Sequence, residues 1–164
     1  MINPFDPADK FSYWLRVELA LIRSWEKFGR ISPLDSCLIQ KKAKFDPARI
    51  AEYERITHHD VISFIQSVTD SLGPEGRFFH FGVTSSDIVD TALSLQLRDG
   101  LDNLLKYIPE ATGRQGDGLE YVRRSLRRAK VEISFGKLSG PVGTHATLPF
   151  EVEERTQLWV TREV

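Results

Sequence analysis

The chain holds one cysteine, Cys37, among 164 residues. That excludes an intramolecular disulfide and, with only four histidines, leaves no zinc-type cluster. Charge of either sign is not in excess: the net charge is -1, so nothing global steers the protein to nucleic acid or to a membrane surface. No apolar run approaches the length of a membrane span. The opening MINPFDPADK is polar and lacks the apolar core of a signal peptide, and a cytoplasmic location is expected. Strand patterning, internal repeats and low-complexity segments are nearly or wholly absent. So are a nucleophile triad, a dinucleotide fingerprint and the P-loop spacing of glycines and Lys-Ser/Thr. At this length one domain is the default, and 41% hydrophobic content is ordinary for a globular core.

What is present is helical periodicity. Phe11, Trp14, Leu15, Val17, Leu19, Leu21, Ile22 and Trp25 predict a long amphipathic helix over residues 10–28, ending near Gly29. Ser32-Pro33 restarts a short helix, with Ser32 as N-cap and Pro33 at the first helical position. Asp46-Pro47 does the same for a helix through Tyr53. Thr57-His58-His59-Asp60 has the form of a capping box with Asp60 in place of Glu, ahead of the apolar series Val61, Phe64, Ile65, Val68, Leu72 up to Gly73-Pro74. Residues 75–83 read as a loop. Thr84-Ser85-Ser86-Asp87 is a second box, and the apolar residues behind it support a helix to about Tyr107, roughly 35 Å long at about 1.5 Å per residue. A helix of that length suggests bundle packing between chains. Pro109 to Gly118 breaks the pattern. Leu119 to Glu132 returns to helix, Gly136 to Thr144 is a glycine-rich loop, and Pro149 opens a last helix. Arg123, Arg124, Arg127, Arg128 and Lys130 make a basic face, which lacks the aromatic interleaving of nucleic-acid contact.

Chemistry concentrates at two helix starts. A helix N-terminus carries unpaired N–H groups and partial positive charge, which suit a carboxylate or phosphate. Thr84, Ser85 and Ser86 add three hydroxyls there, more than one cap requires. His58 and His59 flank the other start, where one imidazole can donate or accept a proton near neutral pH. The plainer alternative is that Thr57 and Asp60 cap the helix and the histidines are incidental. His80 taken alone is a loop histidine; together with His58 or His59 it can complete an anion site.

These blocks resemble the adenylosuccinate lyase family of the aspartase/fumarase superfamily. THHDV (57–61), HFGVTSSDIVDTALSLQL (80–97) and GKLSGPVGT (136–144), followed by Glu151-Val152-Glu153, carry the match, and FSYWLRVELALIRSWEKFG resembles the family's opening. The resemblance covers most of residues 10–155. It implies an all-α fold: an N-terminal helical cluster over 1–83 plus part of a long-helix bundle over 84–164. It implies β-elimination of fumarate from adenylosuccinate, giving AMP, and from the succinyl-carboxamide ribotide of purine synthesis. It implies substrate binding by His58, His59, Asp60, His80, Thr84 and Ser85, with His59 as the candidate general acid. A succinylated purine nucleotide is the implied small-molecule substrate and a homotetramer the implied assembly. No cofactor, metal, nucleic acid or membrane is expected.

The sequence also departs from the family. The Thr-His-Gly segment with a second catalytic histidine has no counterpart; PEATGRQGDG stands in its place, with Arg114-Gln115-Gly116 at best a remnant. The serine loop that bears the proposed base and the N-terminal Arg-Tyr phosphate contact have none either. The chain is therefore expected to be a shortened member, incomplete for catalysis by itself. Two other readings stay open: a carboxymuconate cycloisomerase-like enzyme, against which THHDV argues, and a non-catalytic helical oligomerisation module or decayed copy.

Overall fold

A computed structural model describes Pro4, Asp6, residues 9–112 and residues 124–125 of the chain, with side chains up to 103 and at 124–125. Among the described residues every regular element is helical: α1 (Lys10–Lys27), α2 (Pro33–Lys42), α3 (Pro47–Thr57), α4 (Asp60–Thr69), a 3-10 turn (Pro74–Phe78) and α5 (Ser85–Thr112). The expected helix over 119–132 (apart from 124–125), the glycine-rich loop 136–144 and the helix opened by Pro149 lie outside the described residues.

Local chemistry sets most of the boundaries. The α1 helix stops where Gly29 turns left-handed (φ 77°), with Gly29 N–H donating to Glu26 O and Arg30 N–H to Trp25 O. Those two bonds are the glycine-terminated C-cap that satisfies orphan carbonyls. Ser32 Oγ accepts from Asp35 N at 3.0 Å, and Asp46 Oδ1 accepts from Ala48 N at 2.9 Å, so both Xaa-Pro starts form as expected.

Four expectations need correction. The α3 helix runs to Thr57 rather than Tyr53, although its last apolar residue, Ile56, is 75% exposed. Apolar periodicity underestimates a helix whose final turn faces solvent. Thr57 is consequently the end of α3 and not an N-cap. The α4 helix ends at Thr69, short of Gly73, and a 3-10 turn occupies part of the expected 75–83 loop. Finally, α5 continues through Pro109 to Thr112, 28 residues or about 42 Å. A proline removes one backbone donor and crowds the preceding turn, which weakens a helix without compelling it to end there.

Helix α1 is the spine. The α5 helix packs on it antiparallel: Tyr13 OH donates to Asp99 Oδ2 (3.0 Å) near one end, and Trp25 Nε1–H donates to Phe81 O (2.9 Å), just before α5, near the other. The α2 helix leans on α1 through Gln40 Nε2–H to Leu19 O (2.8 Å). Helices α3 and α4 form an antiparallel pair, closed by Tyr53 OH to Asp70 Oδ2 (2.7 Å) and Asp46 N–H to Ser67 Oγ (2.9 Å). The core joins all of these: Val17, Leu21 and Ile22 of α1, Ile39 of α2, Ile50 of α3, Phe64 and Val68 of α4, and Ile88, Ala92 and Leu95 of α5 are buried. Each large aliphatic or aromatic side chain so buried contributes about 1.5–3 kcal/mol. Around Phe64 the rings of Phe11, Trp14, Phe45 and Phe79 form an aromatic cluster.

Candidate functional site

Two backbone reversals position the candidate residues. The first links α3 to α4. His58 is left-handed (φ 51°), and its N–H donates to Glu54 O, closing α3. The N-cap of α4 is then His59, in extended backbone, with Nδ1 accepting from Ile62 N at 3.4 Å. This corrects the capping box read from the sequence: the left-handed residue shifts the cap two places on. Thr57 Oγ1 is instead tied into the turn, accepting from His59 N (3.2 Å) and sharing a 2.7 Å bond with Ser63 Oγ. Because Nδ1 of His59 accepts, its neutral ring carries the proton on Nε2. Asp60 Oδ1 accepts from Val61 N (2.8 Å), and Oδ2 lies 3.8 Å from Lys10 Nζ at the start of α1. His59 and Asp60 are each partly exposed, and His58 is exposed.

The second reversal leads into α5. His80 is left-handed (φ 61°) and so is Gly82 (φ 80°), where a Cβ would meet Trp25 Cζ2 at 2.7 Å. Only glycine fits that approach of backbone to indole. Thr84 N–H donates to Asp87 Oδ2 at 2.9 Å, the reach-back half of the expected box. The hydroxyls of Thr84 and Ser85, both half-buried, make no hydrogen bond to the described residues and are not sealed from solvent. They remain available at the positive end of a long helix.

His80 turns inward. Its Nδ1 lies 2.6 Å from Oε1 of Glu18, in the middle of α1. Burial alone would lower the imidazole's affinity for a proton. The hydrogen bond and charge of Glu18, with the charge of Asp87 added, outweigh it, and His80 titrates above the ordinary 6.5. Glu18 is a buried partner of His80 that motif reading missed. The signal was present: Glu18 stands at helical spacing from Trp14, Leu21, Ile22 and Trp25, an acid on the apolar stripe.

The reversal before α4 is thus tied to the first residue of α1 and the reversal before α5 to its middle, about 12 Å apart along the helix axis. No hydrogen bond or ion pair joins His58, His59 or Asp60 to His80, Thr84 or Ser85. Two open grooves, about 430 Å³ beside Cys37 and about 370 Å³ beside Arg49, are lined by none of the six. Among the described residues no group of three or more His, Cys, Asp or Glu is arranged to hold a metal ion, and no helix is long and apolar enough to cross a membrane.

Comparison with known proteins gives this geometry a context. No protein-family model matches the chain. It is 33% identical to the adenylosuccinate lyase of Aquifex aeolicus across 94% of its own length and 35% identical to that of Bacillus subtilis across 89%. It spans only 44% and 42% of those proteins. The Aquifex alignment extends over 191 residues, more than the 164 of this chain, so residues inside the matched span have no counterpart here. The fold matches a fumarate lyase from Mesorhizobium sp. BNC1 (TM-score 0.81, 19% identity, 98% of this chain and 46% of that one). It also matches a β-carboxy-cis,cis-muconate cycloisomerase from Acinetobacter calcoaceticus (TM-score 0.70, 23% identity, 96% and 47%). The all-helical fold is that of the fumarase/aspartase superfamily, and the chain is a shorter homologue of its adenylosuccinate lyases.

Proposed function

We propose that this chain contributes part of the substrate site of an adenylosuccinate lyase. That enzyme eliminates fumarate from adenylosuccinate, giving AMP, and from the succinyl-aminoimidazole-carboxamide ribotide of purine synthesis. The observation that carries the reading is the 33–35% identity to adenylosuccinate lyases over nearly the whole chain. The cycloisomerase likeness is one of fold alone.

The chemistry fits the placement of the groups. Such a substrate is anionic at both ends, a phosphate at one and a dicarboxylate at the other. Two anion-receptive helix starts held apart along α1 suit it better than one compact pocket. His80, Thr84 and Ser85 offer a cation, two hydroxyls and the N-terminus of α5; His58, His59 and Asp60 line the other end. In the elimination a base removes the proton beside a carboxylate, and negative charge develops on that carboxylate. Preorganised donors lower the barrier by stabilising this charge. We assign the general-acid role to His59: in its imidazolium form it gives the Nε2 proton to the departing nitrogen and returns to the neutral ring, whose Nδ1 caps α4.

The groups this chain lacks, including the base, would come from full-length lyase chains in a tetrameric assembly, with the cytoplasm as its place of action. In this reading the chain alone is incomplete, with PEATGRQGDG standing in place of the second-histidine segment. Leu93 and Leu97, one helical turn apart on α5 and 49% and 40% exposed, supply an apolar surface for packing against further long helices. The test is complementation. A full-length Bacillus subtilis lyase carrying alanine at the position of His59 is mixed with this chain, and fumarate release from adenylosuccinate is followed. Activity should appear in the mixture, be absent from either partner alone, and vanish when this chain carries His59→Ala. No release in the mixture refutes the proposal. Release by the unmixed chain, abolished by His59→Ala, refutes its incompleteness. Co-assembly without any turnover favours the second reading, a helical oligomerisation module, which the partial coverage of the relatives also supports.

A further inference from the structure

We infer that Glu18 is a positioning residue: it holds His80 with Nδ1–H turned into the helix interface and presents Nε2 outward to an anionic ligand at the start of α5. The functional half of this rests on the reading of His80 as a substrate-binding residue; the structural half does not.

Glu18 has no solvent exposure, and the pair it makes with His80 is 2.6 Å long. A fully buried acid among Val17, Leu21 and Ile22 is costly unless paired. Its second oxygen, Oε2, has no partner among the described residues, so the imidazole is the group that justifies its place. Thr91 Oγ1, on helix α5, is likewise buried without a partner among the described residues. The backbone of His80 is left-handed where its ring meets this acid, a conformation unusual outside glycine and kept where the surroundings enforce it. Nδ1 is consumed by Glu18. Nε2 is neither bonded nor sealed from solvent, and the side chain keeps 18% exposure. The charged groups acting on the ring are Glu18 from α1 and Asp87 from α5, both acidic and both favouring the imidazolium. An imidazole fixed in this way, four and five residues before Thr84 and Ser85 at the entry to α5, offers in its protonated form an Nε2–H donor to a phosphate or carboxylate. A histidine free to rotate, with no acid at Nδ1 to favour its protonated form, would be a poorer one.

The pair makes a statement about tautomers that needs no variant. Neutral His80 carries its proton on Nδ1, because Glu18 accepts there, whereas neutral His59 carries it on Nε2. Nitrogen-15 spectra of the histidine-labelled full chain across pH 5–9 read both. His80 should titrate above 6.5 and relax to the Nδ1–H form, with His59 in the opposite one. In E18Q the His80 midpoint should drop below 6.5, and in E18D it should return toward the parent value. An Nε2–H tautomer at His80, or a midpoint indifferent to E18Q, overturns the inference. In the complemented assembly E18Q should raise KM for adenylosuccinate about tenfold at pH 7, with kcat within about twofold. An unchanged KM, or a loss confined to kcat, overturns the positioning role. Absence of any turnover alongside the expected titrations sinks the lyase reading and leaves the pair standing, so the two failures are distinct.

Discussion

Phe64→Ala is the sharpest test of how the core is held. Phe64 has no exposure and touches four aromatic rings: stacked on Phe11 at 6.0 Å, edge-on to Trp14 at 5.5 Å, and tilted against Phe45 and Phe79 at 6.1 and 6.3 Å. These rings come from α1, the α2–α3 connection and the turn before α5. Truncation therefore opens a cavity where several elements meet, and no single neighbour can collapse into it. Buried Phe→Ala changes cost about 3–5 kcal/mol, and this site belongs at the upper end because each lost aromatic pair adds about 0.5–1.5 kcal/mol beyond area burial. A domain of this size has only about 5–15 kcal/mol in total. Urea denaturation followed by helical circular dichroism should show the midpoint falling with m unchanged, and the melting temperature should drop by roughly 6–20 °C. Leu34→Ala, at 70% exposure, is the control and should stay within about 0.5 kcal/mol. A Phe64→Ala loss under about 1 kcal/mol would show that the cluster repacks freely and that the aromatic hub does not organise the fold.

Gly82→Ala should cost more than Gly29→Ala. Both residues are left-handed, but the new Cβ meets Trp25 Cζ2 at 2.7 Å in the first case and nothing within 4 Å in the second. About 1 kcal/mol is expected at Gly29 and about 2–3 kcal/mol at Gly82, with a changed Trp25 emission; equal costs would refute the contact. The hydrogen bond from Lys42 to buried Glu75, helped by backbone donors, lowers the Glu75 pKa from 4.5 to about 2. A depressed folded value means stability present above 4.5 and lost as pH falls from there toward 2. Urea midpoints between pH 7 and 3 should therefore fall less steeply in Lys42→Met than in the parent, and parallel profiles would refute the pair. Asp46→Ala removes the N-cap of α3 and should cost about 1 kcal/mol by the same assay, with Asp46→Asn recovering most of it.

Helix existence was legible in the sequence wherever cap chemistry and apolar spacing agreed. Ser32-Pro33 and Asp46-Pro47 each combine a side-chain acceptor with a residue that has no N–H to lose, and both starts fall where expected. Legibility failed where a tertiary decision overrode a local pattern. Thr57-x-x-Asp60 is a valid box in isolation, yet α3 claims Thr57 and a left-handed His58 pushes the cap to His59. Pro109 reads as a break, yet α5 passes through it. At the site, the sequence nominated groups whose chemistry suits an anion but carried nothing of their separation along α1, because that depends on which turn of the spine each reversal meets.

The case of Glu18 shows what kind of information a motif omits. An acid inside VELAL reads locally as a flaw in an amphipathic stripe, and helix packing alone would have replaced it with leucine. Its retention becomes intelligible once the chain returns 62 residues later with a left-handed histidine whose Nδ1 meets it. The acid and the imidazole each look anomalous alone, one by burial and the other by backbone conformation. Together each removes the other's cost: the imidazolium compensates the buried carboxylate, and the carboxylate sustains the ring's charge against desolvation. The same linkage fixes a pH signature for the fold. A raised histidine value stabilises most fully below the ordinary 6.5 and progressively less as pH rises through the folded value. Glu18→Gln should flatten the parent's decline in urea midpoint between pH 6 and 8, and an unaltered slope there would show that the pair does not couple proton binding to folding.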